Sequence, residues 1–97
     1  IARDPDTGKI AGKGDIVAQA DFIFRKIEKI LEAAGGTFDD VVKTTDYVTT
    51  LERYGETAAV RRKYFRNGYP AATGVVVKAL VNPEALIEID AVAIIET

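Results

Sequence analysis

The sequence predicts an α+β domain with two helices packed on one face of a mixed sheet. Three observations carry that prediction. Apolar residues recur at helical spacing from Ile16 to Ala34, Val- and Thr-rich runs occupy 41–49 and 73–80, and an alternating run closes the chain at 86–95. With 97 residues, the chain fits one domain, 1–97.

Residues 1–14 are turn-rich, with Asp4-Pro5-Asp6-Thr7-Gly8 and Gly12-Lys13-Gly14 as the turn signals. There is no initiator Met, so the chain is expected to be processed, cut or a fragment. Asp15 is a good N-cap for a helix running through Ala34. Ile16, Ala20, Ile23, Ile27, Ile30, Leu31 and Ala34 form one stripe expected to be buried. Gly35-Gly36 stops the helix, one of the two taking the left-handed cap.

Asp39-Asp40 leads into a strand from Val41 to Thr49. Thr49-Thr50-Leu51-Glu52 has the pattern of a capping box, but Gly55 weakens that start and moves the second helix nearer Glu56. The helix is expected to run to about Phe65 and end at Asn67-Gly68, before Pro70. Thr73 to Leu80 is nearly continuous Val and is expected to be a strand buried on both faces. After the turn at Asn82-Pro83-Glu84, Ile87, Ile89, Ala91, Ala93 and Ile95 share one strand face. Glu88, Asp90, Val92 and Ile94 take the other.

The middle strand–helix–strand segment fits a right-handed crossover. Both helices should then cover one sheet face, and the chain has no third helix for the other. Self-association through the sheet, or a missing piece of chain, is expected to cover it.

Composition narrows the chemistry. The chain has no Cys, His, Met, Trp or Ser. That excludes a zinc finger, a disulfide, a Cys–His nucleophile and a Ser-His-Asp triad within it. Net charge is −2 with a pI near 5.1, which gives no general reason to expect nucleic acid or an anionic membrane as partner. No apolar run approaches the roughly 20 residues that span a bilayer. Nothing signals an oxidising compartment, and a cytoplasmic location is the expectation.

Glu88 and Asp90 are the most interesting acids, two apart on one face of a strong strand. Beside Val92 and Ile94 a carboxylate there is partly desolvated and suited to acid–base work. The competing reading is a solvated strand start or an acid paired with Arg or Lys. Arg61, Arg62, Lys63 and Arg66 lie among Tyr64, Phe65 and Tyr69, a mixture that suits single-stranded nucleic acid. Cations also simply favour a helix C-terminus, and the acidic pI supports that reading. Gly12-Lys13-Gly14-Asp15 precedes a helix but lacks phosphate-loop spacing, and Asp15 would repel an anion. Thr44, Thr45, Asp46 and Tyr47 place polar groups on a central strand, where Thr is ordinary.

Taken together these residues resemble the Rid family, also called the YjgF or L-PSP endoribonuclease-like family. Gly14-Asp15-Ile16 with Gln19 resembles the family's approach to its first helix. Leu31, Ala34-Gly35-Gly36 and Asp40-Val41-Val42-Lys43-Thr44-Thr45 resemble its helix end and next strand. Tyr64-Phe65, Tyr69-Pro70-Ala71 and Val75-x-Val77-x-x-Leu80 resemble the second helix and following strand, and Leu86 to Ala93 the closing signature. The ordered set spans essentially the whole chain.

The resemblance implies a chorismate-mutase-like subunit assembled as a homotrimer, with ligand clefts between subunits. It implies hydrolysis of small enamines or imines with no metal or organic cofactor. Glu88 matches the family's functional acid, and Ala72, Thr73 and Gly74 match residues that bind substrate in the same cleft. Three departures follow. The sequence as given is expected to lack the family's first two strands and the Tyr and Ser they contribute. Ala72 stands where deaminating members carry an Arg that clamps the substrate carboxylate, which places the chain in an Arg-lacking branch. A pocket Asn of the second helix falls near Thr57 or Ala58. The expectation is a small-molecule deaminase or hydrolase. The alternative is a non-catalytic trimeric ligand-binding or regulatory module. Neither nucleic acid nor membrane is an expected partner.

Overall fold

The structure is a computed structural model describing residues 1–96. Its elements are α1 (Ile16–Ala33), β1 (Val41–Val48), α2 (Ala58–Tyr64), β2 (Ala71–Val76) and β3 (Ile87–Ala93). The mixed sheet has the order β2-β1-β3, with β1 parallel to β2 and antiparallel to β3. The helices cover one of its faces, as the sequence predicts.

The ends of α1 are set by local chemistry. The Asp15 carboxylate accepts from the Val17 and Ala18 amides at 3.1 and 3.2 Å. At the far end Gly35 takes a left-handed conformation, φ +81°. The Gly36 and Gly35 amides then donate to Leu31 and Glu32 carbonyls, a Schellman closure. Ile16, Ala20, Ile23 and Phe24 pack against Val48, Val60 and Ile87. Phe24, Phe38, Tyr64 and Phe65 form an aromatic cluster with centroids 5.2 to 6.1 Å apart.

Four expectations need correction. The stripe of α1 is not buried to its end: Ile30 is 67% exposed and Ala34 is exposed too. They border an apolar groove with Val41, Ile89, Ala93 and Ile95 that nothing in the described chain fills. The Val-rich strand is Ala71–Val76 rather than 73–80, and all six residues are exposed instead of buried on both faces. It is one of the two sheet edges, and α1 packs over the other, β3, rather than over it. Thr49-Thr50-Leu51-Glu52 caps no helix. The Thr50 hydroxyl accepts from the Glu52 amide at 3.0 Å and closes a turn. Arg53 follows with a left-handed φ of 58°, then a short 3-10 turn over Tyr54–Thr57, so α2 itself begins only at Ala58. Finally, β3 spans Ile87–Ala93, shorter than 86–95.

A bulge in β1 changes its alternation. Val41 pairs with Ala93 and Lys43 with Val92, leaving Val42 unpaired and exposed. Beyond the bulge Thr44, Asp46 and Val48 are all buried on the helix side.

One fully buried polar side chain joins the loops to the core. Gln19 donates its amide to the Gly12 and Glu84 carbonyls at 3.2 and 3.1 Å and accepts from the Leu86 amide at 2.8 Å. Replacing it leaves the Glu84 carbonyl and the Leu86 amide without a protein partner, while the Gly12 carbonyl keeps only the Asp15 amide at 2.9 Å. Gln19→Ala is expected to lower stability by about 3 kcal/mol, one net hydrogen bond at a time. Urea denaturation measures this, and an unchanged midpoint would refute it.

Candidate functional site

Pairing in register sorts the sheet residues into two surfaces, because paired residues point to the same side. The open face carries Thr45 and Tyr47 of β1, Thr73 and Val75 of β2, and Glu88 and Asp90 of β3. The helix-covered face carries Thr44 and Asp46, then Ala72 and Gly74, then Ile89 and Ala91.

On the open face Tyr47 lies directly across from Glu88, and Thr45 across from Asp90. Two carboxylates thus flank one phenol. The Asp90 charge pushes the Tyr47 hydroxyl above its usual range, helped by desolvation, a hydrogen bond with Asp90 and the Glu88 charge. Glu88 itself is half-buried and Asp90 is exposed. Val75 and Val92 are exposed on the same surface at 40% and 52%. It is therefore an acidic centre set in an uncovered, partly apolar sheet.

On the helix-covered face Asp46 is 2% exposed. It accepts from Arg61 Nη2 at 2.5 Å and from the Tyr54 hydroxyl at 2.7 Å. Arg61 Nη1 also donates to the Thr44 hydroxyl at 3.2 Å, and its guanidinium lies over the Phe24 ring. A buried carboxylate needs this double partnering to offset its lost hydration. Burial, reinforced by Asp46, pushes the Tyr54 phenol up to about 12. Gly74 makes room for that phenol: a Cβ there would stand 2.6 Å from the Tyr54 oxygen.

The four candidate residues thus divide. Glu88 and Thr73 belong to the open face, while Ala72 and Gly74 belong to the helix-covered one. Within one chain Glu88 does not share a surface with Ala72 and Gly74. The basic cluster is dispersed as well, with Arg61 turned inward to Asp46, Lys63 on Asp21 at 2.9 Å, and Arg62 and Arg66 exposed. Lys13 pairs with Glu84 at 3.6 Å beside the Asp15 cap.

The Asp46–Arg61–Tyr54 cluster was missed from sequence. Its signal was present: a charged residue between Thr44 and Val48 at strand spacing requires a buried counter-charge. Among the described residues no group of three or more Asp, Glu, His or Cys could hold a metal ion, and no helix is long and apolar enough to cross a membrane.

Comparisons with known proteins agree with one another. A family model described as endoribonuclease L-PSP matches residues 1–95. A RutC family protein of Pyrococcus abyssi is 40% identical over 93 residues, covering 96% of this chain and 72% of that one. A 2-iminobutanoate/2-iminopropanoate deaminase of Homo sapiens is 33% identical over 94 residues, covering 97% and 67%. Among solved structures, a Rid family protein of unknown function from Yersinia pestis superposes with TM-score 0.87 at 34% identity, covering 96% of this chain and 73% of that one.

The raised Tyr54 value has a consequence for stability. A group whose folded pKa lies above its unfolded one stabilises fully below about pH 10 and loses that contribution as pH rises through about 12. Tyr54→Phe is expected to flatten the loss of stability over that alkaline range. At neutral pH it should cost about 1–3 kcal/mol, because Asp46 loses a donor. Thermal melts between neutral and alkaline pH check both arms, and parallel curves for the two proteins would refute the coupling.

Proposed function

Because the chain belongs to the endoribonuclease L-PSP family, the Rid family of the resemblance above, we propose that it hydrolyses small reactive imines or enamines at clefts between copies of itself. The division of Glu88 from Ala72 and Gly74 carries this reading. One copy presents the acid on its open sheet face, and another presents the small-residue edge strand. A cleft combining them needs two chains, and the homotrimer implied by the resemblance would supply them.

The chemistry asks little of the protein. Glu88 accepts a proton from water as the water oxygen adds to the imine carbon. The protonated imine thereby becomes a tetrahedral aminoalcohol; Glu88 passes the proton it took to nitrogen, and as the C–N bond breaks and ammonia leaves, the hydroxyl proton returns to Glu88 and the carbonyl product forms. An enamine first takes a proton on carbon to become the imine. Each step moves a proton, and none calls for a metal or organic cofactor. A second copy closing over Val75 and Val92 would exclude bulk water from the carboxylate.

One observation favours a second reading, a non-catalytic ligand-binding module. Ala72 lacks the side chain with which deaminating relatives clamp a carboxylate, which fits an Arg-lacking branch of the family.

The test generates imines with an amino-acid oxidase or an amine oxidase in the presence of semicarbazide, and follows release of the carbonyl product. Acceleration above background is expected, and Glu88→Gln should reduce it by roughly a hundredfold or more while leaving assembly unchanged. Ala72→Arg should raise activity on imino acids roughly tenfold or more through a charge-assisted contact. No acceleration of either imine by correctly assembled protein would overturn the hydrolase reading in favour of the binding module.

A further inference from the structure

We propose that Asp46 sets the ligand class of the Ala72 wall: by cancelling the Arg61 charge there, it directs the cleft to uncharged imines rather than carboxylate-bearing ones. The inference rests on the preceding reading for the position of the cleft.

Thr44 is the in-register β1 partner of Ala72, and Asp46 is the partner of Gly74. Adjacent strands lie about 4.8 Å apart, so what touches Thr44 and Asp46 stands behind those two residues. Arg61 touches both. A cation is therefore present behind the wall from which the family's clamp is missing, but it arrives from α2 rather than from the strand. Ala72 and Gly74 carry little or no side chain and are exposed, so they do not screen it from a ligand at the strand edge.

Its charge is already matched. The Asp46 carboxylate lies 2.5 Å from Arg61 Nη2 and is only 2% exposed, so water does little to screen it. A ligand carboxylate approaching Arg61 would meet Asp46 just behind, and attraction and repulsion largely offset each other. The donors of Arg61 not used by Thr44 and Asp46 remain able to bond a neutral carbonyl or imine nitrogen. The Tyr54 hydroxyl, above Gly74, is committed to Asp46 and keeps its proton. The wall thus offers hydrogen bonds without net charge.

The test reads binding rather than turnover, so the hydrolase reading stands or falls separately in the imine assay. Pyruvate and its uncharged counterpart pyruvamide are titrated calorimetrically into wild type, Asp46→Asn and the double variant Asp46→Asn/Arg61→Gln. Wild type is expected to bind pyruvamide at least as tightly as pyruvate. Asp46→Asn should tighten pyruvate about tenfold by freeing the guanidinium, with pyruvamide unchanged. The double variant, which has no cation to free, should not gain. The proposal is overturned if wild type prefers pyruvate, if wild type binds neither probe, or if folded Asp46→Asn gains nothing for pyruvate. A gain that persists in the double variant overturns it as well. Should Asp46→Asn not fold, the wild-type preference alone decides.

Discussion

Three stretches of chain far apart in sequence meet at the Gln19 side chain: the turn at Gly12, the first helix, and the approach to β3 at Glu84–Leu86. The turn and the approach to β3 bring three backbone groups, the Gly12 and Glu84 carbonyls and the Leu86 amide, and the one side-chain amide from the helix bonds all three. The constraint is geometric as much as energetic. With Leu86 held, β3 enters the sheet in one register, and period-two alternation then decides that Ile87 faces the core and Glu88 does not. The candidate acid is thus aimed by a glutamine that never approaches it.

The central strand carries the second organising choice. Beyond its bulge β1 sends Thr44 and Asp46 under the helices and Thr45 and Tyr47 to the open face. The covered side becomes an ion-pair cluster in which the Asp46 carboxylate is matched by Arg61 and Tyr54. The open side becomes a phenol between two acids, beside uncovered valines. One strand therefore builds two unlike chemical surfaces, and only a second chain would let them work on one ligand.

Much of this was legible in the sequence. The α1 caps, the strand at 41, the turn at 82 and the shared face of Glu88 and Asp90 all follow from short-range rules that tertiary contacts did not override. The errors arose where burial depends on neighbours. Val75 and Val76 are apolar enough for a core, yet they stand on the edge strand that α1 does not cover, and composition carries no information about which edge that is. Ile30 matched the helical period but extends past the part of the sheet that α1 covers. Arg61 groups with its basic neighbours in the sequence, because spacing along a helix does not reveal an acid presented by a strand. The candidate site was legible as residue types and not as an arrangement, since alternation assigns faces only once the pairing is known.

The contact between Gly74 and the Tyr54 hydroxyl has a bearing on how this chain can change over time. A side chain at position 74 would displace the phenol, which would strip Asp46 of a donor and leave Arg61 as its one remaining partner. These four positions lie on three different elements and a connecting turn, yet none can drift freely while the others stay. They form a unit of inheritance, exchanged together or retained together, and lineages of this fold should separate into those that carry the whole set and those that carry none of it.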